Sequence, residues 1–152
     1  MASEFRFEHQ PYQPVLSIRT ITAVEKLPQI IGPAYMQIAQ YLGELGEQPA
    51  GIPFVGYYNL DMQALDVEIG FPVNRELPGR GEIQPSSIAE CEAAVCIYTG
   101  LYEDMGPAYD ELNRMALEKG LEPTGIAYEF YFNSPDEVPI SELKTKILFP
   151  LK

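Results

Sequence analysis

Tryptophan is absent from the 152 residues, and histidine occurs once, as His9. A single imidazole excludes a His-rich metal site and makes any Ser-His or Cys-His device depend on His9 alone. His9 also falls in an N-terminal segment expected to be mobile, a poor place for catalysis. Cysteine occurs twice, at Cys91 and Cys96, too few for a secreted disulfide scaffold and without CxxC spacing. On a strand over 89–99 the two thiols point to opposite faces, and they are read as inert. Basic residues are scarce: ten Lys and Arg stand against 22 Asp and Glu, a net charge of −12. That balance excludes a phosphate-neutralising surface, so no direct nucleic-acid partner is expected, and it favours a cationic ligand over an anionic one. No apolar run approaches the ~18 residues of a membrane span. The first ten residues carry Glu4, Arg6 and Glu8 and no apolar signal core, so cytoplasm is the expected location and no membrane partner is expected. Gly-rich phosphate loops, zinc spacings and nucleophile elbows are missing, and neither metal nor cofactor is expected.

What is present is a duplication. Hydrophobic residues make up 46% and charged residues 21%, the balance of a folded chain. Its length suits one domain, 1–152, able to bury a core without staples. Gly32-Pro33-Ala34-Tyr35 recurs as Gly106-Pro107-Ala108-Tyr109, an offset of 74. Held without a gap over 28 positions from Gly32 to Asn59, that offset gives 11 identities. Chance would give about two. After a four-residue shift, Ile69-Gly70-Phe71-Pro72-Val73 answers Ile147-Leu148-Phe149-Pro150-Leu151.

Each half reads as strand, helix, strand, strand. Val15 to Thr20 is β-branched enough for a first strand. A helix is expected to start at Pro33, with Ala34, Ile38, Tyr41, Leu42 and Leu45 spaced as one buried face. Gly46 and then Pro49 would end it. The second half repeats this with Pro107, the stripe Ala108, Leu112, Met115 and Ala116, and then Gly120 and Pro123. Phe54–Asn59 with Leu65–Phe71, and Ile126–Phe132 with Thr145–Phe149, supply the hairpins. The halves run from about 13 to 73 and from about 88 to 152, joined by a connection over 74–87. A helix on one face of a small sheet cannot close a core by itself. The pattern therefore predicts an α+β fold of duplicated β-α-β-β units in pseudo-two-fold relation, an antiparallel sheet with helices on one face, and a ligand cleft at the seam.

The strand Ile126–Phe132 carries the oddest residue. Glu129 and Tyr131 share a face with Ala127, while Tyr128, Phe130 and Phe132 share the other. Left uncompensated in an apolar site, the Glu129 carboxylate would cost several kcal/mol. Two readings stay open: a solvent-facing Glu paired with Lys144 or Lys146, or a carboxylate at the base of an aromatic pocket awaiting a cation. Its counterpart in the first half is Val55. Tyr57 pairs with Tyr131 in the repeat and Tyr35 with Tyr109, and with Phe149 they supply candidate walls or ordinary core. Asp66 and Glu68 are read as the solvated face of a half-buried strand.

These residues resemble the GyrI-like domain, the effector-binding module also found at the C-terminus of AraC- and MerR-type transcription activators. The resemblance runs from Pro14 to Leu151 and is densest in the second half. It is carried by Gly100, Tyr102 and Glu103; by Tyr109 and Leu112; by Gly120, Leu121, Pro123 and Gly125; and by the Glu-x-Tyr strand Glu129 and Tyr131. Asn133-Ser134-Pro135, Val138-Pro139, Glu142-Leu143, Thr145-x-Ile147 and Pro150 complete the pattern. Leu101 stands where the family commonly has Pro. The resemblance implies a cleft between the halves in which Glu129 binds cationic, amphipathic aromatic compounds, lined by Tyr131, Tyr57, Tyr35, Tyr109, Val55 and Phe149. It leaves two alternatives open. One is hydrolysis of cyclopropane-bearing DNA-alkylating natural products by Glu129 and Tyr131. The other is protein contact of the gyrase-inhibitor kind, with DNA gyrase or a regulator as partner. A first strand near residue 14 leaves no room for the helix-turn-helix region that precedes the module in the activators, so a stand-alone form is expected.

Overall fold

The computed structural model describes residues 3–152. Among them the chain forms eight strands and two α-helices, an α+β fold. The strands are β1 (Glu4–Gln10), β2 (Gln13–Thr22), β3 (Phe54–Tyr57), β4 (Leu65–Pro72), β5 (Gln84–Ile88), β6 (Cys91–Thr99), β7 (Ala127–Tyr131) and β8 (Lys144–Pro150). The helices are α1 (Leu27–Glu44) and α2 (Gly106–Glu118). The order β-α-β-β appears twice, as β2-α1-β3-β4 and β6-α2-β7-β8. Among the described residues no helix is long and apolar enough to cross a membrane.

The chain divides into two compact units. One is Pro11–Ala89, with its strands ordered β3-β4-β2-β5. The other joins the N-terminal stretch ending at Gln10 to Glu90–Lys152, with its strands ordered β1-β6-β8-β7. Strand pairing within both units is antiparallel. The 74–87 connection therefore ends in a strand, β5, paired to β2 from Gln13↔Ile88 to Ser17↔Gln84. The stretch expected to be mobile around His9 is likewise a strand. His9 bridges Glu90 at 2.9 Å and Glu92 at 2.5 Å, and these carboxylates raise its pKa.

Both helices bury most of the stripe that the spacing predicts; Leu45, just past the end of α1, and Met115 on α2 are only half-buried. Ala34, Ile38, Tyr41 and Leu42 are buried on α1, and Ala108, Leu112 and Ala116 on α2. Ile38 and Leu112, repeat partners, are both 0% exposed. Their termini close alike. The Glu47 amide donates to the Leu42 carbonyl and the Leu121 amide to the Ala116 carbonyl, each at 2.9 Å. Gly46 at φ 72° and Gly120 at φ 71° supply the left-handed step that such a closure needs. The starts differ. α2 begins with Pro107 in its first turn, as expected, but α1 begins at Leu27 and carries Pro33 inside. Pro28 takes the first-turn position there. Pro33 and Gln29, whose carbonyl loses its acceptor role, are both exposed, so water can take the place of the missing amide.

Candidate functional site

The unit containing α2 presents one sheet face to that helix. On β7 and β8 this face carries Ala127, Glu129 and Tyr131 beside Thr145, Ile147 and Phe149, with Glu129 opposite Ile147 and Tyr131 opposite Thr145. Tyr109, in the first turns of α2, reaches down to it. Its hydroxyl donates to Glu129 Oε2, and its ring packs edge-on to Phe149 with centroids 5.3 Å apart. The Tyr131 hydroxyl donates to Glu129 Oε1 at 2.7 Å. Each carboxylate oxygen thus accepts one phenol.

Neither lysine considered for Glu129 pairs with it. Lys146 bonds Glu8 at 2.8 Å, and Lys144 lies over the Phe132 ring at 5.0 Å. Glu129 keeps some residue surface, but its carboxyl group lies deep among protein atoms. Desolvation outweighs the two phenol hydrogen bonds and pushes its pKa above the ordinary carboxylate value.

Tyr102 joins this cluster without having been singled out as a site residue. It opens a 3-10 turn, Tyr102–Asp104, and its ring meets Tyr131 edge-on at 5.7 Å. It is 41% exposed, and burial together with the Glu129 charge raises its phenol pKa. Its place in the Gly100-x-Tyr102-Glu103 turn was the available signal. Thr145 is 0% exposed, and its hydroxyl has no hydrogen-bond partner among the described residues.

Tyr35, Val55 and Tyr57 belong to the other unit. There the Tyr35 hydroxyl donates to the Phe54 carbonyl at 2.9 Å and its ring packs against Phe71 at 5.2 Å. Val55 is 0% exposed opposite Ile69, and Tyr57 is half-buried opposite Val67. The same unit corrects the reading of Glu68 as solvated. Glu68 is 2% exposed and accepts Ser17 Oγ and the Tyr58 hydroxyl, each at 2.6 Å. Those hydroxyls replace water, while Arg19, held by Asp66 at 2.6 Å and 2.8 Å, lies over the Tyr58 ring at 3.7 Å. Asp66 keeps the partly solvated character expected of it. Among the described residues no His, Cys, Asp and Glu cluster suits a metal ion. Both cysteines are free, and burial pushes the Cys96 thiol up to about 11.

A duplicated β-α-β-β scaffold with a phenol-held carboxylate under one helix is the architecture of a small-molecule-binding module. The model of the GyrI-like small molecule binding domain matches residues 3–152, and the chain belongs to that family. No curated protein is detectably similar in sequence. The fold resembles the EcmrR C-terminal domain at TM-score 0.81 and 22% identity, covering 100% of this chain and 99% of that one. EcmrR in its DNA complex gives TM-score 0.85 at 23% identity, with 99% of this chain covering 57% of that one, so the chain spans little more than half of that regulator. A hydrolase from Listeria innocua gives 0.71 at 12% identity, covering 98% of this chain and 92% of that one. SAV2435 bound to tetraphenylphosphonium gives 0.65 at 10% identity, covering 98% and 94%. At these identities the likenesses speak for the fold.

Proposed function

We propose that this domain binds a lipophilic organic cation, with Glu129 as the anionic contact and Tyr102, Tyr109, Tyr131 and Phe149 as aromatic surroundings. One observation carries the reading. Glu129 is a desolvated carboxylate held by two phenols, and no described basic side chain pairs with it. A positive ligand completes that balance better than a neutral one, because burial makes the charge costly until a cation meets it. The aromatic faces add cation–π attraction, and the net charge of −12 raises the local concentration of cations. The tetraphenylphosphonium bound by SAV2435, a relative in fold, is a cation of this kind. Tyr57, Tyr35 and Val55, in the first half of the duplication, are proposed as further ligand contacts.

Titration calorimetry with tetraphenylphosphonium and with uncharged triphenylphosphine oxide tests the reading. Glu129→Gln keeps the shape and removes the charge; its amide oxygen accepts one phenol, and its amide NH2 donates to the oxygen of the other. It should weaken tetraphenylphosphonium by about 1–3 kcal/mol, roughly ten- to hundredfold, and leave the neutral compound nearly unchanged. Equal affinity of wild type and variant for the cation would remove Glu129 from the binding role.

A further inference from the structure

β1 forms an edge of its unit. Its seven residues pair with β6 on one side, from Glu4↔Ile97 to Gln10↔Cys91, and no described strand lies on the other. An outer row of backbone N–H and C=O groups is a template for another strand unless the sequence blunts it. The edge strand of the other unit, β5, is blunted: it has five residues, and Pro85 offers no amide. β1 carries neither proline nor glycine, and its register runs without a bulge.

Its side chains alternate, with Glu4, Arg6, Glu8 and Gln10 on one face and Phe5, Phe7 and His9 on the other. Laid antiparallel along a second copy over its full length, β1 places each Arg6 against Glu8 of the other copy. Glu4 then meets Gln10, Phe5 meets His9, and the two Phe7 rings meet at the two-fold axis. A slip of two residues one way sets Arg6 against Arg6 and Glu4 against Glu8. The register of greatest overlap is therefore also charge-complementary. Phe7 is 37% exposed and the Arg6 side chain 41% exposed. Within one chain Arg6 bonds Glu4 at 3.2 Å and Glu8 at 3.0 Å, and Glu8 bonds Lys146 at 2.8 Å, so a second strand shares these surface pairs rather than meeting bare charges.

We propose that β1 is the surface through which two copies of this chain associate, edge to edge and antiparallel in the full-length register. The gain comes from backbone pairing and the cross-strand Phe7 and Arg6–Glu8 contacts. Two chains of charge −12 repel each other. Salt near ~0.15 M screens that repulsion beyond ~8 Å while the close pairs persist. One strand edge is a small interface, so the dimer is a weak one.

Sedimentation equilibrium of the full chain between about 10 µM and 1 mM measures it directly. Wild type should show a concentration-dependent dimer. Arg6→Glu alone makes positions 6 and 8 both acidic, and Glu8→Arg alone makes both basic. Each should weaken self-association at least about tenfold, because like charges then face each other across the strands. Mixed in equal amounts, R6E and E8R face acid against base at both positions and should restore dimerisation as a hetero-pair. Circular dichroism confirms that each variant is folded, and recovery on mixing is a result that a merely local defect in β1 would not give. A wild type that stays monomeric to about 1 mM overturns the proposal and leaves the edge to an extended segment of another protein. A mixture no more associated than either variant alone overturns it as well.

Discussion

The two units place a tyrosine, a phenylalanine and a strand residue in corresponding positions, yet they use the tyrosine hydroxyl differently. Tyr35 packs on Phe71 and donates to the Phe54 backbone carbonyl. Tyr109 packs on Phe149 at nearly the same ring separation and donates to Glu129. Val55 stands where the second half has Glu129. One hydroxyl closes a backbone acceptor and strengthens the scaffold; the other stabilises a side-chain charge that the scaffold alone does not need. The duplication supplies the same frame twice, and a single strand position decides whether the helix tyrosine meets a carboxylate; the first unit's buried Glu68 is held instead by Ser17 and Tyr58.

The sharpest way to break this comparison is to move the charge. Val55→Glu buries a carboxylate at a fully buried position where the Tyr35 hydroxyl is already committed to the Phe54 carbonyl, and it should cost about 3–5 kcal/mol in urea unfolding at neutral pH. A tolerated Val55→Glu would mean that the Tyr35 frame is already fit for an anion. The shared frame is checked next by Ile38→Ala and Leu112→Ala, each expected to lose about 2–5 kcal/mol by the same measurement. A clearly smaller loss in one unit would show that the two cores are not equivalent.

A smaller effect separates the two tyrosines through pH. Glu129 has a raised pKa in the folded chain, so its protonated form stabilises the fold. That contribution is fully present below the unfolded carboxylate value and is lost as pH rises through the raised native value. Binding of a permanently charged cation runs the opposite way. Affinity for tetraphenylphosphonium should fall about tenfold per pH unit below the native pKa, with a midpoint above that of an ordinary glutamate. Tyr109→Phe removes a donor to the carboxylate and should move that midpoint further up. Tyr35→Phe should leave the midpoint unmoved and cost about 0.5–1.5 kcal/mol of stability. Coincident midpoints for wild type and Tyr109→Phe would break the assignment. The smallest expected change is Thr145→Val, which removes a buried hydroxyl without a partner and should raise the thermal midpoint by the equivalent of about 1 kcal/mol.

The repeat made the element order legible because the spacing of Gly46 and Gly120 after the stripes of Ile38 and Leu112 is a local property of the chain. The start of α1 was not legible in the same way. Two prolines, Pro28 and Pro33, compete for the first-turn position, and only packing of Leu27 against the unit selects the earlier one. β1 and β5 escaped because a strand with charged or proline-containing sequence announces itself through its partner, and β6 and β2 are those partners. Glu68 escaped for a related reason. Alternation along β4 places it on the face turned away from α1, but whether that face meets water depends on Ser17, Tyr58 and Arg19 arriving from other segments.

The amino-acid sequence by itself determined the duplication, the two amphipathic helices, and the isolation of Glu129 in an apolar strand. The helices and the isolation of Glu129 follow from residues within a few positions of one another, and the duplication from identities at a fixed offset of 74. The tertiary structure alone decided that Tyr109 and Tyr131 each take one oxygen of that carboxylate, that Lys144 and Lys146 turn elsewhere, and that Tyr102 adds its ring. Those outcomes depend on which distant segments the pairing of β6, β7 and β8 and the packing of α2 bring within hydrogen-bond reach. The Tyr131 bond spans only two residues along β7, whereas the Tyr109 bond joins residues 20 positions apart, and that reach needs the packed helix.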